Sequence, residues 1–127
     1  MTLVVLVVDD ESDVEMLFRQ QFRRELRDGR FSMEFAPTAE SALETIRHTS
    51  ERLILLVSDI NMPGMSGLDL IPRAKALRPD LPVMMVTAYG DAQTRSAALA
   101  RGADGFLTKP IDFGALRAEI AARAEAG

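Results

Sequence analysis

Three stretches of this chain, LVVLVV (3–8), LILLVS (53–58) and PVMMVT (82–87), are apolar at almost every position. A strand with one solvated face alternates apolar and polar residues. A strand covered on both faces does not alternate, which is the habit of parallel sheets packed between helices. Two further strand candidates are FSMEFA (31–36), whose stronger alternation suits an edge, and GFLT (105–108). Between the strands, apolar residues fall at helical spacing. In 11–28 the stripe Val14, Phe18, Phe22, Leu26, with Leu17 beside it, ends at Gly29. Segment 39–49 sets Ala39, Leu43 and Ile46 on one face behind the N-cap candidate Thr38. Helix 67–77 contains Pro72, which would remove a hydrogen bond and bend it unless it lies in the first turn. An alanine-rich helix, 92–101, starts after Asp91 and ends before Gly102. The last helix starts at Asp112, where Ile111 and Leu116 have the spacing of a hydrophobic staple.

Five βα units in 127 residues predict one α/β domain over 1–127, a doubly wound five-stranded parallel sheet with right-handed crossovers. The strand order that fits the count is 2-1-3-4-5, the flavodoxin-like (βα)5 arrangement. Nothing reads as a linker or repeat, and an output domain is not expected. The charge balance, −4 overall, argues against a general nucleic-acid binder. Without cysteine there are no disulfides or thiolate metal sites, and a cytoplasmic location is expected. LVVLVV is too short to span a membrane and lacks the flanks of a signal peptide. The single histidine, His48, excludes any site that needs two and carries no expected catalytic role.

In this topology ligands bind beyond the carboxyl ends of the strands, at the switch point between strands 1 and 3. Strand 1 ends in Asp9 and Asp10, with Glu11 just beyond; strand 3 ends at Asp59; strand 4 ends at Thr87; strand 5 runs into Lys109-Pro110. An acid after a strand often does no more than cap the next helix. Four strands delivering three acids, a hydroxyl and an amine to one edge call for chemistry. Clustered carboxylates repel unless a cation joins them. An all-oxygen donor set suits Mg²⁺, with Mn²⁺ as an alternative ion, and the Asn61 backbone carbonyl could complete the protein's share of ligands. A carboxylate so placed can attack phosphorus to give an aspartyl phosphate. Mg²⁺, the Lys109 ammonium and the Thr87 hydroxyl with nearby backbone N–H groups would then neutralise the three phosphoryl oxygens.

The motifs VVDDE, SDINMPGMSGLDL, VTAYGD and ADGFLTKP resemble, in order and spacing, the response-regulator receiver domain of two-component signalling. The resemblance covers essentially the whole chain and implies a stand-alone, single-domain receiver. It implies that Asp59 accepts a phosphoryl group from the phosphohistidine of a sensor histidine kinase, or exchanges it with a histidine phosphotransfer protein. Asp9, Asp10 and Asp59 would hold Mg²⁺, Thr87 and Lys109 would contact the phosphoryl group, and the peptide before Pro110 would be cis. Thr87 and the aromatic three before the lysine, Phe106, would move together, remodelling the surface of the fourth helix, fifth strand and fifth helix for a downstream protein. Phe106 lacks the hydroxyl that many relatives offer there, and its plain alternative is a buried ring at a strand end. Such a domain is a regulator rather than an enzyme: it promotes only its own phosphorylation and slow dephosphorylation. A monomer, or a weak phosphorylation-dependent dimer, is expected, with no direct nucleic-acid contact and no membrane insertion.

Two residues are expected to tune the phosphorylated lifetime. Tyr89, the only tyrosine, either leans over the site and excludes water or is an exposed loop aromatic. Asn61 either orients the hydrolytic water or faces solvent. Arg19, Arg23 and Arg27 form an i, i+4 line that is a solvated face or a docking surface for the phosphodonor. Met62 and Met65 suit loop packing. Three other classes fit less well. An aspartate-dependent Mg²⁺ phosphohydrolase of the haloacid-dehalogenase type wants its nucleophile after strand 1 and an acid two residues on, where Asp59 is followed by Asn61. A flavodoxin-like FMN carrier would need a Ser/Thr/Gly-rich loop where DDESD stands. An interaction module indifferent to phosphorylation leaves the acceptor set without a purpose.

Overall fold

In the computed structural model, which describes residues 2–88, 90 and 92–126, β1 (Leu3–Val8) is an inner strand of a five-stranded sheet. The other strands are β2 (Ser32–Ala36), β3 (Arg52–Asp59), β4 (Val83–Thr87) and β5 (Gly105–Thr108), all parallel, in the order β2-β1-β3-β4-β5. The strand order and the edge position of β2 are those expected from the sequence. Among the described residues six helices connect and cover the sheet: α1 (Asp13–Gln21), α2 (Arg23–Arg27), α3 (Ala39–His48), α4 (Gly67–Leu77), α5 (Ala92–Ala100) and α6 (Phe113–Ala126).

The continuous apolar runs supply two cores at once. Val4, Leu6 and Val8 pack with Leu43 and Ile46 of α3 and Leu70 and Ile71 of α4. Their neighbours Val5 and Val7 point the other way, into Phe18, Phe22, Leu116 and Ile120. Phe18 and Phe22 are almost fully buried, each worth about 1.5–3 kcal/mol of transfer free energy. Phe18 also meets Phe113 edge-on at 5.3 Å between ring centroids, which joins α1 to α6. The period of 2 is broken once. The register of β1 on β3 passes from Val4↔Leu53 to Val5↔Leu55, so Ile54 is an extra residue, and Ile54 and Leu55 both enter the second core.

Local signals set the helix ends. Thr38 caps α3 reciprocally with Ser41: each side chain accepts from the other's backbone N–H, at 3.0 and 3.2 Å. Gly102, at φ 106°, ends α5, with the Ala103 N–H donating to Ala98 O and the Gly102 N–H to Leu99 O. Asp112 caps α6 by accepting from the Ala115 N–H at 3.0 Å, and Ile111 and Leu116 pack in the same apolar cluster.

The single helix expected over 11–28 is two helices. The chain breaks at Phe22 (φ −107°, ψ 22°). Arg117 of α6 donates to the Gln21 carbonyl at 2.6 Å and lays its guanidinium 5.0 Å from the Phe22 ring centroid. A carbonyl that would otherwise serve the α-helical ladder is taken by a side chain from another element. Pro72 lies in the second turn of α4, yet the helix runs through it. The missing N–H leaves the Leu68 carbonyl without its i+4 donor.

Candidate functional site

The carboxyl edge is built by letting each strand run one residue past its apolar core. The Asp9 N–H continues the β2 ladder, donating to Ala36 O at 3.1 Å, and Asp10 beyond it is exposed. Asp59 is the last residue of β3 and only 7% exposed. Thr87, the last residue of β4, is fully buried. The Lys109 N–H donates to Thr87 O at 2.9 Å, which fixes the backbone from which the lysine side chain starts. The Lys109–Pro110 peptide is cis.

The side chains converge. One oxygen from each of Asp9, Asp10 and Asp59 lies within 4.8 Å of the others, the one such acidic group among the described residues. Lys109 Nζ donates to Asp59 Oδ2 at 3.2 Å and stands 3.9 Å from Asp9 Oδ2. Burial, the largest influence on Lys109, disfavours its charge. The hydrogen bond to Asp59 and the charges of Asp59, Asp9 and Glu11 outweigh burial, so its pKa is raised and it stays an ammonium. Asp9 is pushed above the ordinary aspartate range, first by burial and then by the Asp59 charge, against the Glu11 N–H that its Oδ1 accepts at 2.9 Å and the Lys109 charge.

One ammonium, paired to Asp59 and near Asp9, therefore serves a cluster of three carboxylates, and Asp9 is raised by burial and then by the Asp59 charge. A hard divalent cation fits that all-oxygen set, and the exposure of Asp10 leaves the outer side open to water ligands. Asn61 is exposed in the loop that follows β3. Phe106 is half-buried in β5, packed against the first core, with the Arg95 guanidinium 5.8 Å from its ring centroid. Met62 is buried and Met65 packs on the same core, the loop role expected of them. Tyr89 lies outside the described residues. Of the arginine line, Arg19 pairs with Glu15 at 3.0 Å and lies 5.0 Å from the Phe35 ring centroid, while Arg23 and Arg27 fall beyond the helix break.

Two residues that support the site were not singled out from sequence. Gly67 opens α4 against the back of Asp59. A Cβ there would collide with the Asp59 carbonyl oxygen and sit 2.9 Å from Ile60 Cα and 2.7 Å from Met85 Cε. The Gly67 N–H also donates to Ile60 O at 2.8 Å. The Ser-Gly pair at the start of a helix was the available signal, read only as a boundary. Glu40, in the first turn of α3, accepts from the Met65 N–H at 3.2 Å and so ties down the loop after Asp59. Nothing local in the sequence marks a contact across 25 positions.

This fold, with acids at the ends of β1 and β3 and a lysine after β5, defines a receiver-type α/β domain. The model of the response regulator receiver domain matches residues 5–121, and the chain belongs to that family. It is 39% identical over 116 residues to the response regulator protein PilR of Pseudomonas aeruginosa, covering 91% of this chain and 25% of PilR. It is 34% identical over 116 residues to the two-component response regulator PhoP of the same organism, covering 91% of this chain and 49% of PhoP. The chain thus spans from a quarter to a half of the length of these two relatives. A crystal structure of a CheY-like response regulator receiver domain protein from Methanospirillum hungatei superposes with a TM-score of 0.82 at 27% identity, covering 100% of both chains. Receiver domains of this family serve as phosphorylation switches in two-component signalling, generally bind Mg²⁺ at an acidic pocket and interact with histidine kinases. Among the described residues no helix is long and apolar enough to cross a membrane.

Proposed function

We propose that this chain is a phosphoacceptor switch in which Asp59 takes a phosphoryl group from the phosphohistidine of a sensor histidine kinase or a histidine phosphotransfer protein. The observation that supports this best is the buried Asp59 carboxylate held at 3.2 Å by the one ammonium of an otherwise acidic cluster. An Asp59 oxygen attacks the donor's phosphorus. As the O–P bond forms the N–P bond breaks, its electron pair stays on the imidazole nitrogen, and an acyl phosphate results. Lys109 already sits beside the attacking carboxylate and follows the negative charge onto the phosphoryl oxygens, where its raised pKa keeps it cationic. Thr87, one strand over, offers its hydroxyl to another of those oxygens. Asp9, Asp10 and Asp59, with the Asn61 carbonyl, would hold Mg²⁺ or Mn²⁺. The ion, when bound, supplies neutralisation of phosphoryl charge and lets the carboxylates coexist.

Readout then runs from Thr87 to Phe106, whose ring is only half-buried beside Arg95. The α5–β5–α6 face, with Leu99 half-exposed on α5, is the surface a downstream protein would meet. Slow hydrolysis of the acyl phosphate, set by Asn61 and Tyr89, resets the switch, and the domain acts on no other substrate. A cytoplasmic location and a monomer, or a weak phosphorylation-dependent dimer, complete the proposal. Phosphorylation by acetyl phosphate in Mg²⁺, and its loss in Asp59→Asn, is the test.

A further inference from the structure

The charge of the chain is unevenly placed. Residues 19–30 hold five arginines (19, 23, 24, 27 and 30) against two acids, Glu25 and Asp28, in a protein whose net charge is −4. Both acids are already engaged. Glu25 pairs with Arg117 at 2.6 Å, and Asp28 pairs with Arg27 at 3.4 Å. Arg19 is held by Glu15. Among the described residues the guanidinium groups of Arg23, Arg24 and Arg30 have no ion pair or hydrogen bond. They line one open groove of about 530 Å³ together with Arg117.

A second groove, about 380 Å³, adjoins the first and shares Glu25, Arg30 and Arg117 with it. Its other walls are the apolar Phe31, Ile120, Ala121 and Ala124, with the exposed Glu125 as the one further charged residue. The short side chains of Ala121 and Ala124 leave that space unfilled. Both grooves lie at the amino edge of the sheet, since Phe31 immediately precedes β2 and α6 ends there. Asp59 is at the opposite edge. Basic residues in the last turn of a helix can merely complement its dipole, and Arg24 and Arg27 stand so in α2. That account does not reach Arg23 or Arg30, and it gives the apolar groove no purpose.

We infer that this edge of α2 and α6 is a second docking surface, for an acidic segment of a partner protein that carries an apolar anchor. The anchor enters the groove over Phe31 and Ala124, and its flanking carboxylates meet Arg23, Arg24 and Arg30. An apolar site rimmed by unpaired charge selects such a segment over a bare polyanion, because neither half alone covers both grooves. Being remote from Asp59, the surface engages its partner whether or not the carboxylate is phosphorylated.

The test uses the full chain and a fluorescein-labelled peptide of glutamates around a central Leu-Phe pair. Controls carry lysine for glutamate, or alanine for the Leu-Phe pair, and tripolyphosphate serves as a competing polyanion. Fluorescence polarisation and amide NMR shifts are the readouts. The acidic Leu-Phe peptide should bind, should weaken as salt rises, and should shift the amides of Arg30, Phe31, Ala121 and Ala124. The triple variant Arg23→Gln, Arg24→Gln, Arg30→Gln should weaken it roughly tenfold, as three exposed charge pairs imply. Ala124→Trp, which fills the apolar groove without changing charge, should weaken it too. Asp59→Asn should bind as wild type does, which separates this surface from the phosphoacceptor proposal. Absence of binding at low salt, equal affinity in the triple variant, shifts centred on α5 and β5, or tripolyphosphate competing as well as the peptide would each overturn the inference. So would self-association of the wild type that the triple variant abolishes, because the surface would then belong to a second copy.

Discussion

Lys109 Nζ stands 3.2 Å from Asp59 Oδ2, across 50 positions of sequence, and it is the only ammonium or guanidinium ion-paired to Asp9 or Asp59 among the described residues. If this pair does the work proposed for it, removing the cation should slow phosphoryl transfer far more than it unfolds the domain. Lys109→Ala is expected to lower the rate of acetyl phosphate-dependent phosphorylation on the order of a hundredfold, the usual cost of losing one donor to developing charge. Stopped-flow or quenched-flow rates beside thermal melts of both proteins measure the two effects separately.

The acidic cluster predicts an inversion of stability by metal. Asp9 titrates above its ordinary value because burial and the Asp59 charge oppose its ionisation. Its raised folded pKa favours the native state below the unfolded value, and that advantage is lost as pH rises through the folded pKa. Asp9→Asn should therefore stabilise the metal-free protein at pH 7, and the gain should disappear once the medium falls below about pH 4. Added Mg²⁺ should raise the melting temperature of wild type and leave the variant's nearly unchanged. Calorimetry with chelator, and then with Mg²⁺, checks both arms.

Gly67→Ala tests the close approach behind Asp59. The new methyl would meet the Asp59 carbonyl and Ile60 Cα, both backbone, so side-chain repacking cannot relieve it. A loss of about 2 kcal/mol, typical of an overpacked site, is expected from denaturant unfolding, with slower phosphorylation as Asp59 shifts.

A second pH dependence arises at the far edge of the sheet. Asp104 loses some of its charge preference to burial. Even so, its pKa is lowered overall by the hydrogen bonds it accepts from Lys75 Nζ and the Val83 N–H, each at 2.8 Å. A depressed folded pKa contributes stability above the unfolded value, and this is lost as pH falls through the folded one. Asp104→Asn should cost stability at pH 7, and the difference from wild type should shrink below about pH 4. Urea midpoints across that range measure it.

What sequence disclosed follows physical lines. The runs LVVLVV, LILLVS and PVMMVT could only be strands covered on both faces, which fixed the architecture and its carboxyl edge together. Asp9, Asp10, Asp59, Thr87 and Lys109 were legible as a set because each ends or follows a strand, and topology alone brings strand ends together. The bulge at Ile54 was hidden because a run apolar at every position carries no phase to betray a slipped register. The break at Phe22 was hidden for another reason: its cause, Arg117, arrives from 96 positions away and bonds a backbone carbonyl. The hydrophobic stripe of 11–28 continues through the break, so periodicity ran on where the hydrogen bonds did not. Glu40 escaped for the same reason as Arg117, since its partner is a main-chain N–H with no residue type to read.

The central claim rests on Asp59, and intact mass after incubation with acetyl phosphate and Mg²⁺ tests it most directly. The wild-type chain should gain the mass of one phosphoryl group, and the gain should be absent in Asp59→Asn and when chelator replaces Mg²⁺. No gain in the wild type, or a gain that persists in Asp59→Asn, would contradict the account.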